Sequence, residues 1–530
     1  MVFKQKIGAV VGAAALLLGA ACTQDLTVTN LEEPDIARAL ATPNDVQTLV
    51  GSALTDWYNT STAIDPWCML NVTADASTAN FGNFGMRFNN LEPRIEYHNQ
   101  SADGDAGVAN NPWNDNYAAL GEANDALRAI KGGIVFSGGQ ALTDQYATVA
   151  KFAQAGVLTN LALIYDKAFV VDENTDLANA ASLQMQPYTE VAKAAQASWD
   201  AVIAATNGKT YQFPSEPIPL DGQLFTAKTI NRFANTMNAL LLAYTPRNAA
   251  DAAKVDWAKV LQYADKGIGT GSAGAPFNFS VIGDNNIWVS GWLYYADEPS
   301  WLRVDMNVIH QMDPSVPAKY TGSSTNVPPS GNGDARLGAK GSGADFEYLG
   351  TVIGDPGRGI WMQSPYAHQR YKYYARTSTP TNGKGPAPYV LAAESDLVKA
   401  EALVRTNGDL NLAASLINNT RVTRGKLPPV AASDGSAKLL AAITYERLVE
   451  TFATDGFTFF QLRHVDALQP GTLHHLPVPA AELETLSLPI YTFGGPQPLE
   501  NYLPTGGSAL NVRFPSGRAA SGHAATPFMR

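Results

Sequence analysis

The chain has 530 residues, so it can bury a large core as one big domain or as several. Its formal net charge of -11 argues against nucleic acid as a partner, because no basic field exists to release counterions. It contains 2 cysteines, Cys22 and Cys68, too few for a disulfide framework or a cysteine-based zinc site.

The N-terminus has the pattern of a lipoprotein signal peptide. Lys4 and Lys6 precede an apolar run over residues 7–18, and small residues lead into Cys22. The run is too short to span a bilayer of roughly 30 Å, which needs about 20 apolar residues. A cysteine directly after small residues resembles a lipobox. We therefore expect a signal peptide over residues 1–21, acyl chains on Cys22 and a polar tether as far as residue 42. An ordinary signal peptide that ends near a cysteine is the alternative.

Helical patterns dominate from Pro43 onward. Thr42 is a capping hydroxyl before Pro43, and Asp45 lies in the first turn, as at a helix start. Apolar residues that recur every three or four positions indicate one helix face at Trp113, Tyr117, Leu120, Ala123, Leu127 and Ile130. The same reading predicts helices over 146–169, 187–205, 229–244, 256–268, 393–405, 410–421 and 437–452. The predicted fold is mainly α, with helices in pairs similar to tetratricopeptide repeats.

Two stretches depart from helical periodicity. Residues 269–388 are rich in Gly, Pro, Trp and Tyr, and helical patterns resume after them, so they are predicted to be a large loop-rich insertion inside one helical domain. Residues 466–530 are predicted to be an irregular C-terminal region. The whole body over residues 43–530 is then a single domain.

Tests for enzyme motifs fail. Asp172, Asn174 and Asp176 begin like a calcium loop, but Leu177 stands where glycine is required. The sequence has no Gly-x-Ser-x-Gly elbow and no His-Glu-x-x-His pair. We therefore expect no catalysis, no metal and no cofactor.

Two groups of aromatic residues in loop-rich stretches are candidate ligand contacts. Aromatic rings stack on sugars or on peptide side chains, and asparagine amides such as Asn80, Asn285 and Asn286 supply hydrogen bonds beside them. The alternative is a small local core under the loops. The predicted ligand-binding residues are Trp67, Asn80, Phe81, Phe84, Arg87, Trp288, Trp292 and Trp301, with Tyr294 and Tyr295 inside the second group.

Two short stretches near the C-terminus carry a specific pattern. Residues 445–450 read Tyr-Glu-Arg-x-x-Glu, and residues 459–463 read Phe-Phe-Gln-Leu-Arg. In these stretches the sequence resembles the C-terminal signature of the SusD/RagB family. Gln461 replaces the usual aspartate and His464 a common second arginine. We expect Glu446, Arg447 and Glu450 to form ion pairs along their helix.

Other blocks follow the family in order. Residues 391–424 resemble its alanine-rich helix pair, residues 476–483 its closing proline block, and residues 73–94 an early block of one subgroup.

The resemblance implies a SusD-like α-superhelix of tetratricopeptide-like pairs that carries a loop-built ligand face. It also implies a lipid-anchored, cell-surface protein of the outer membrane that docks as a lid on a SusC-like TonB-dependent transporter. The expected ligand is an oligosaccharide, a peptide or a similar nutrient, and fold alone does not name it. Two other functions remain open: a helical-repeat scaffold that binds proteins without a small ligand, and a secreted glycoside hydrolase with two carboxylates in one cleft.

Overall fold

The computed structural model describes residues 42–177, 183–213, 217–272, 274–454 and 457–496. The predicted signal peptide, Cys22 and all of the tether except residue 42 lie outside the described residues. The same holds for residues 497–530, the end of the predicted irregular C-terminal region.

The described residues form a mainly α fold, which confirms the predicted fold class. The helices are α1 (Pro43–Ser61), α2 (Trp67–Thr73), α3 (Met86–Asn89), α4 (Gly107–Lys131), α5 (Gln140–Ile164), α6 (Tyr188–Thr206), α7 (Ala227–Tyr244), α8 (Ala249–Ala252), α9 (Trp257–Ala264), α10 (Gly291–Ala296), α11 (Met306–Met312), α12 (Ala392–Arg405), α13 (Leu410–Arg421), α14 (Ser436–Glu450), α15 (Thr458–Arg463) and α16 (Ala480–Thr485).

Short strands accompany these helices. They are β1 (Ser77–Thr78), β2 (Lys167–Ala168), β3 (Gln186–Pro187), β4 (Phe279–Gly283), β5 (Arg303–Val304), β6 (Leu337–Ala339), β7 (Phe346–Tyr348), β8 (Tyr366–His368) and β9 (Gly385–Val390). They pair as β1–β5, β2–β3 and β4–β9, all antiparallel, and as a mixed sheet in the order β6-β7-β8.

Helix α1 begins where its sequence predicts. The Thr42 side chain accepts a hydrogen bond from the Asp45 backbone N–H, and the Asp45 carboxylate accepts one from the Thr42 backbone, so the two residues form a capping box. Pro43 occupies the first turn, where its missing N–H leaves no helical bond unmade. The face of α1 that carries Val50 and Trp57 is buried.

The long helices pack side by side in chain order. Helix α1 lies against α4 and α5, and the series continues through α5–α6, α6–α7, α7–α9, α9–α12 and α12 with α13 and α14. Each helix therefore buries its apolar face against the next helix, as neighbouring helices do in helical-repeat proteins.

Helix α5 differs from its predicted bounds. It starts at Gln140 and ends at Ile164, whereas the spacing predicts residues 146–169. Its last carbonyls bind Arg247 and Arg463, and the chain turns extended at Tyr165. Helix α5 is also long and apolar enough to cross a membrane by length and composition, but 89% of its most apolar window is buried inside the protein. That burial is the ordinary state of a core helix.

The segment between α9 and α12 contains β4 to β9, α10 and α11. Strands β4 and β9 pair with each other, so that Phe279 lies opposite Val390. The chain therefore leaves the helical body and returns to it at the same place. The predicted insertion, residues 269–388, begins before β4 and ends within β9, so most of it lies between these two paired strands.

The charged residues of the C-terminal signature form ion pairs with side chains on other elements of the fold, so the prediction of ion pairs along their own helix is wrong. Glu446 and Glu450 on α14 accept hydrogen bonds from Arg336, at 2.9 and 3.1 Å. Arg447 pairs with Glu401 and Glu394 on α12. These side chains are buried, so water cannot stabilise their charges. Each therefore needs an oppositely charged partner on a neighbouring element of the fold.

The two departures from the signature join the same buried network. Gln461 donates to Glu394 at 3.1 Å, and His464 Nε2 lies 3.1 Å from a Glu401 carboxylate oxygen. Both carry polar atoms that reach the same carboxylates as Arg447, so these positions are structural.

Candidate functional site

A very short antiparallel pair brings the two aromatic groups together. Ser77 of β1 lies opposite Val304 of β5, and Thr78 lies opposite Arg303. The backbone N–H of Asp305 extends the pair by donating to the Ala76 carbonyl at 2.9 Å. The turn that follows β1 therefore lies beside the stretch that precedes β5.

Helix α10 contains three aromatic residues, of which one faces the core and two lie at the surface. Ser290 caps the helix by accepting a hydrogen bond from the Leu293 N–H. Over its six residues Trp292 is buried, whereas Tyr294 and Tyr295 are half-buried. The helical turn thus presents two tyrosines on the side where the first aromatic group arrives.

Five half-buried rings form a continuous cluster, the aromatic platform, which consists of Phe81, Phe84, Tyr294, Tyr295 and Trp301. The Trp301 ring centroid lies 5.1 Å from Tyr295, 5.8 Å from Phe84 and 6.2 Å from Phe81. Phe84 also lies 5.7 Å from Tyr295, and Tyr294 lies 5.4 Å from Tyr295. These separations are those of interacting rings, so the platform is one packed unit.

The backbone at Phe84 is unusual. Phe84 and Gly85 both have positive φ, 55° and 66°. A bulky residue in this left-handed region is an outlier and costs of order 1–3 kcal/mol, so the surrounding packing must hold it. The conformation places the Phe84 ring against both Tyr295 and Trp301.

Polar groups lie at the edge of the platform. The exposed Arg376 guanidinium lies 5.7 Å from the Trp301 ring centroid and 6.0 Å from that of Tyr295. The Tyr294 hydroxyl donates to the side-chain oxygen of the exposed Asn382 at 3.3 Å. Burial raises the pKa of Tyr295, an effect that the Arg376 charge opposes, so its phenol is protonated at neutral pH. A ligand that lies on the platform would meet flat rings, the Arg376 cation and the Asn382 side-chain amide.

Hydrogen bonds hold both Asn285 and the backbone of Arg376 at this edge of the platform. The Asn285 amide donates to the Asn382 carbonyl at 3.3 Å, which places one of the predicted asparagines beside the platform. Sequence reasoning missed Arg376, because it stands alone in a loop and only its tertiary position reveals the contact. Its backbone N–H donates to the Tyr294 carbonyl at 2.8 Å, which fixes the loop against α10.

Three predicted ligand-binding tryptophans are core residues, and the structure corrects the prediction for them. Trp67 is 2% exposed, packs on Phe460 and donates its indole N–H to the Ser61 carbonyl. Trp292 is also 2% exposed, and Trp288 is 9% exposed with its ring 5.6 Å from Tyr58. Because these rings are enclosed by the fold, they have no face free for a ligand.

Two further predicted ligand-binding residues are polar side chains outside the five rings of the platform, although the Arg87 backbone N–H donates to the Phe81 carbonyl at 3.1 Å. Asn80 is 2% exposed and donates to the Asp355 carbonyl at 2.8 Å, so it holds a neighbouring loop and does not face a ligand. Arg87 is half-buried, with its guanidinium 5.7 Å from the Phe88 ring. Of the predicted residues, Phe81, Phe84 and Trp301 are therefore the ones that the fold brings together at the surface.

Within the described residues, no group of three or more His, Cys, Asp or Glu side chains could hold a metal ion.

Comparison with known proteins identifies the fold. No protein-family profile matches the sequence, and no curated protein matches it. Solved structures do match. A SusD superfamily protein from Parabacteroides distasonis is 12% identical, with 84% of this chain and 97% of that chain covered and a TM-score of 0.59.

Two further structures agree. A SusD-like protein from Bacteroides fragilis is 15% identical, with coverage of 81% of this chain and 87% of that chain and a TM-score of 0.54. A SusD-like carbohydrate binding protein from Bacteroides vulgatus is 15% identical, with coverage of 80% and 83% and a TM-score of 0.53. The likeness extends over most of each chain, and from it we conclude that this protein has the SusD-like fold.

Proposed function

We propose that this protein is a non-catalytic nutrient-binding protein of the SusD type, whose aromatic platform binds an oligosaccharide. The observation that carries the proposal is the platform itself, five packed rings with Arg376 and Asn382 at their edge. The fold adds support, since structural relatives include SusD-like carbohydrate binding proteins.

Sugars suit this surface for physical reasons. One face of a sugar ring carries C–H groups that stack on an aromatic ring, while its hydroxyls need hydrogen-bond partners at the edge. The platform combines both, because half-buried rings are held rigid by one another while Arg376 and Asn382 are exposed. Rigid rings lose little conformational freedom on binding.

The proposal includes a place in the cell. Cys22 carries the lipid, the tether of residues 22–42 separates lipid from body, and the protein stands on the surface of the outer membrane. It passes its ligand to a SusC-like TonB-dependent transporter. Support for the anchor comes from Lys4, Lys6, the apolar run and the small residues before Cys22.

Replacing Trp301 by alanine tests the platform. We expect Trp301→Ala to weaken oligosaccharide binding by about 2 kcal/mol, about thirtyfold, because a stacking anchor at a binding hot spot is lost. The measurement is calorimetric titration against a glycan panel and a peptide panel, with thermal melting of the same samples.

Phe277→Ala is the matched control. Phe277 is a half-buried ring that contacts Arg232 and lies outside the platform. We expect it to leave affinity unchanged. The proposal fails if the wild-type protein binds no glycan, or if Trp301→Ala and Phe277→Ala bind a glycan ligand equally well.

A further inference from the structure

Two arginines beside the aromatic platform differ from the other arginines in the described part of the chain. The guanidinium groups of Arg87 and Arg376 donate no hydrogen bond to a described residue and form no ion pair with one. Each of the other described arginines has a carboxylate or a carbonyl oxygen as its partner. The arginines that lack a partner are therefore found next to the proposed sugar-binding surface.

Backbone hydrogen bonds attach both arginines to the platform. The Arg87 N–H donates to the Phe81 carbonyl at 3.1 Å, and the Arg376 N–H donates to the Tyr294 carbonyl at 2.8 Å. The exposed Arg376 guanidinium lies 5.7 Å from the Trp301 ring centroid. Arg376 is thus held beside the rings by its backbone and by a ring contact, while the N–H groups of its guanidinium have no described acceptor.

The acidic side chains near the platform hold loops in place. Glu298 is 1% exposed, and its carboxylate accepts hydrogen bonds from Ser300 and from the Thr377 backbone N–H at 2.9 Å. One oxygen of the exposed Asp284 accepts from the backbone N–H groups of residues 286–288 at 2.8 to 3.0 Å. Neither carboxylate forms an ion pair with a described arginine. The Arg376 charge is therefore available to a ligand.

This local charge is opposite in sign to that of the whole chain. The formal net charge is -11, so the protein as a whole repels anions. An exposed arginine without a carboxylate partner, set against flat rings, offsets that repulsion at one place on the surface. A ligand with a negative group beside its stacking face would gain most from this arrangement.

We propose that the platform selects acidic oligosaccharides, and that Arg376 determines this specificity by binding a carboxylate or sulfate group of the sugar. The inference rests on the proposed function, in which a sugar ring stacks on the platform. A sugar that lies on Trp301 carries its substituents at the margin of the ring, where Arg376 lies. The planar guanidinium matches an oxyanion with paired N–H donors, and such charge-assisted hydrogen bonds are stronger than neutral ones.

A purely structural role of Arg376 predicts a different outcome. If its guanidinium only packs on Trp301 and Tyr295, removing it loosens the rings, and acidic and neutral sugars lose affinity alike. If it binds an oxyanion, only the acidic sugars lose affinity. The ratio of the two affinities therefore separates the two roles.

Oligosaccharides that differ only in charge test the selectivity. The purified protein is titrated by calorimetry with tetragalacturonate and its methyl ester, with a mannuronate tetrasaccharide and its methyl ester, and with a carrageenan tetrasaccharide and its desulfated form. We expect the acidic member of at least one pair to bind at least about tenfold more tightly than its neutral partner. The first two pairs carry carboxylates and the third carries sulfate, so the preferred pair identifies the oxyanion.

One variant and a matched control assign the preference to Arg376. Arg376→Gln should weaken binding of the preferred acidic sugar about tenfold and change binding of its neutral partner by less than about twofold. Thermal melting should be unchanged, because the side chain is exposed. Lys193→Gln removes one positive charge from an exposed ion pair with Glu190 on α6, and it should leave both affinities unchanged.

The outcomes distinguish this inference from the proposed function. The inference alone is overturned if the protein binds glycans but only neutral ones, or binds both members of every pair alike. Equal weakening of an acidic sugar and its neutral partner by Arg376→Gln also overturns it, since that result assigns a structural role. If no glycan binds to the wild-type protein, the proposed function and the inference fall together.

Discussion

Among single residues, Glu122 on α4 is expected to make the stability of the folded chain depend on pH. Its carboxylate accepts a hydrogen bond from the Ser52 hydroxyl at 3.0 Å and also lies within hydrogen-bond reach of the Asp56 carboxyl group. Burial and the neighbouring Asp56 raise the pKa of Glu122 to about 7 from an ordinary 4.5. The folded chain therefore holds this proton more tightly than the unfolded chain does, and the resulting stability is present below pH 4.5 and lost as pH rises through 7.

The substitution Glu122→Gln should remove this loss of folding stability at high pH. We expect the variant to be more stable than the wild-type protein at pH 8, and the difference to vanish at pH 4, where both side chains are neutral. Urea unfolding across this range measures it. Glu190→Gln, at a surface pair with Lys193, is the control. A Glu122→Gln curve that runs parallel to the wild-type curve at every pH would show that Glu122 does not cause the effect.

At the scale of secondary-structure elements, helices α1 and α5 pack closely where Trp57 meets Gly156. A Cβ at Gly156 of α5 would stand 1.9 Å from the indole nitrogen of Trp57, which is fully buried. Alanine is the better helix former by roughly 0.5–1 kcal/mol, but the clash opposes this gain.

We expect Gly156→Ala to lower the free energy of unfolding by about 1–3 kcal/mol. Gly121→Ala on α4, where a Cβ meets nothing within 4 Å, should instead raise it by roughly 0.5–1 kcal/mol. Urea unfolding of both variants decides the matter, and equal stabilisation by the two would mean that α1 and α5 pack less closely than described.

The long helices could be predicted from sequence because their apolar spacing persists over many turns. Helix α13 has the predicted bounds, and α4 contains every residue of the predicted Trp113 face. Short helices such as α2 and α10 were missed, since six or seven residues hold too few turns to establish a period.

The candidate site could be predicted only in part. Glycine and asparagine around both aromatic groups indicated loops, and Phe81, Phe84 and Trp301 do meet there. Sequence composition could not decide which ring faces the core. Trp292 and Tyr294 are two residues apart in a run of similar residues, and only the packing of α10 sends one inward and leaves the other at the surface.

For the whole molecule, one hydrophobic core joins the helical body to the segment between α9 and α12. The Phe233 ring of α7 stacks on Phe279 with centroids 3.9 Å apart, and Trp57 of α1 lies 5.6 Å from Tyr389. We therefore expect this segment and the helices around it to unfold in one transition, as seen by calorimetry and by tryptophan fluorescence. Separate melting of the segment would contradict this.

The proposed anchor is tested on the whole protein in cells. Cys22→Ser should release the protein from the membrane fraction, because the acyl chains contribute about 0.8 kcal/mol per buried methylene and hold the body to the membrane. Fractionation is done in cells that lack the partner transporter. If the variant stays fully membrane-bound there, Cys22 is not the anchor.

The pairing of β1 with β5 has a kinetic consequence. Its two strands are far apart along the chain, so the platform is a region of high contact order whose formation requires closing a long loop. Because closing this loop costs chain entropy, we expect the platform to form late in folding, after the helices between the two strands have packed on their neighbours. Refolding followed by far-ultraviolet dichroism should therefore run ahead of refolding followed by recovery of glycan binding.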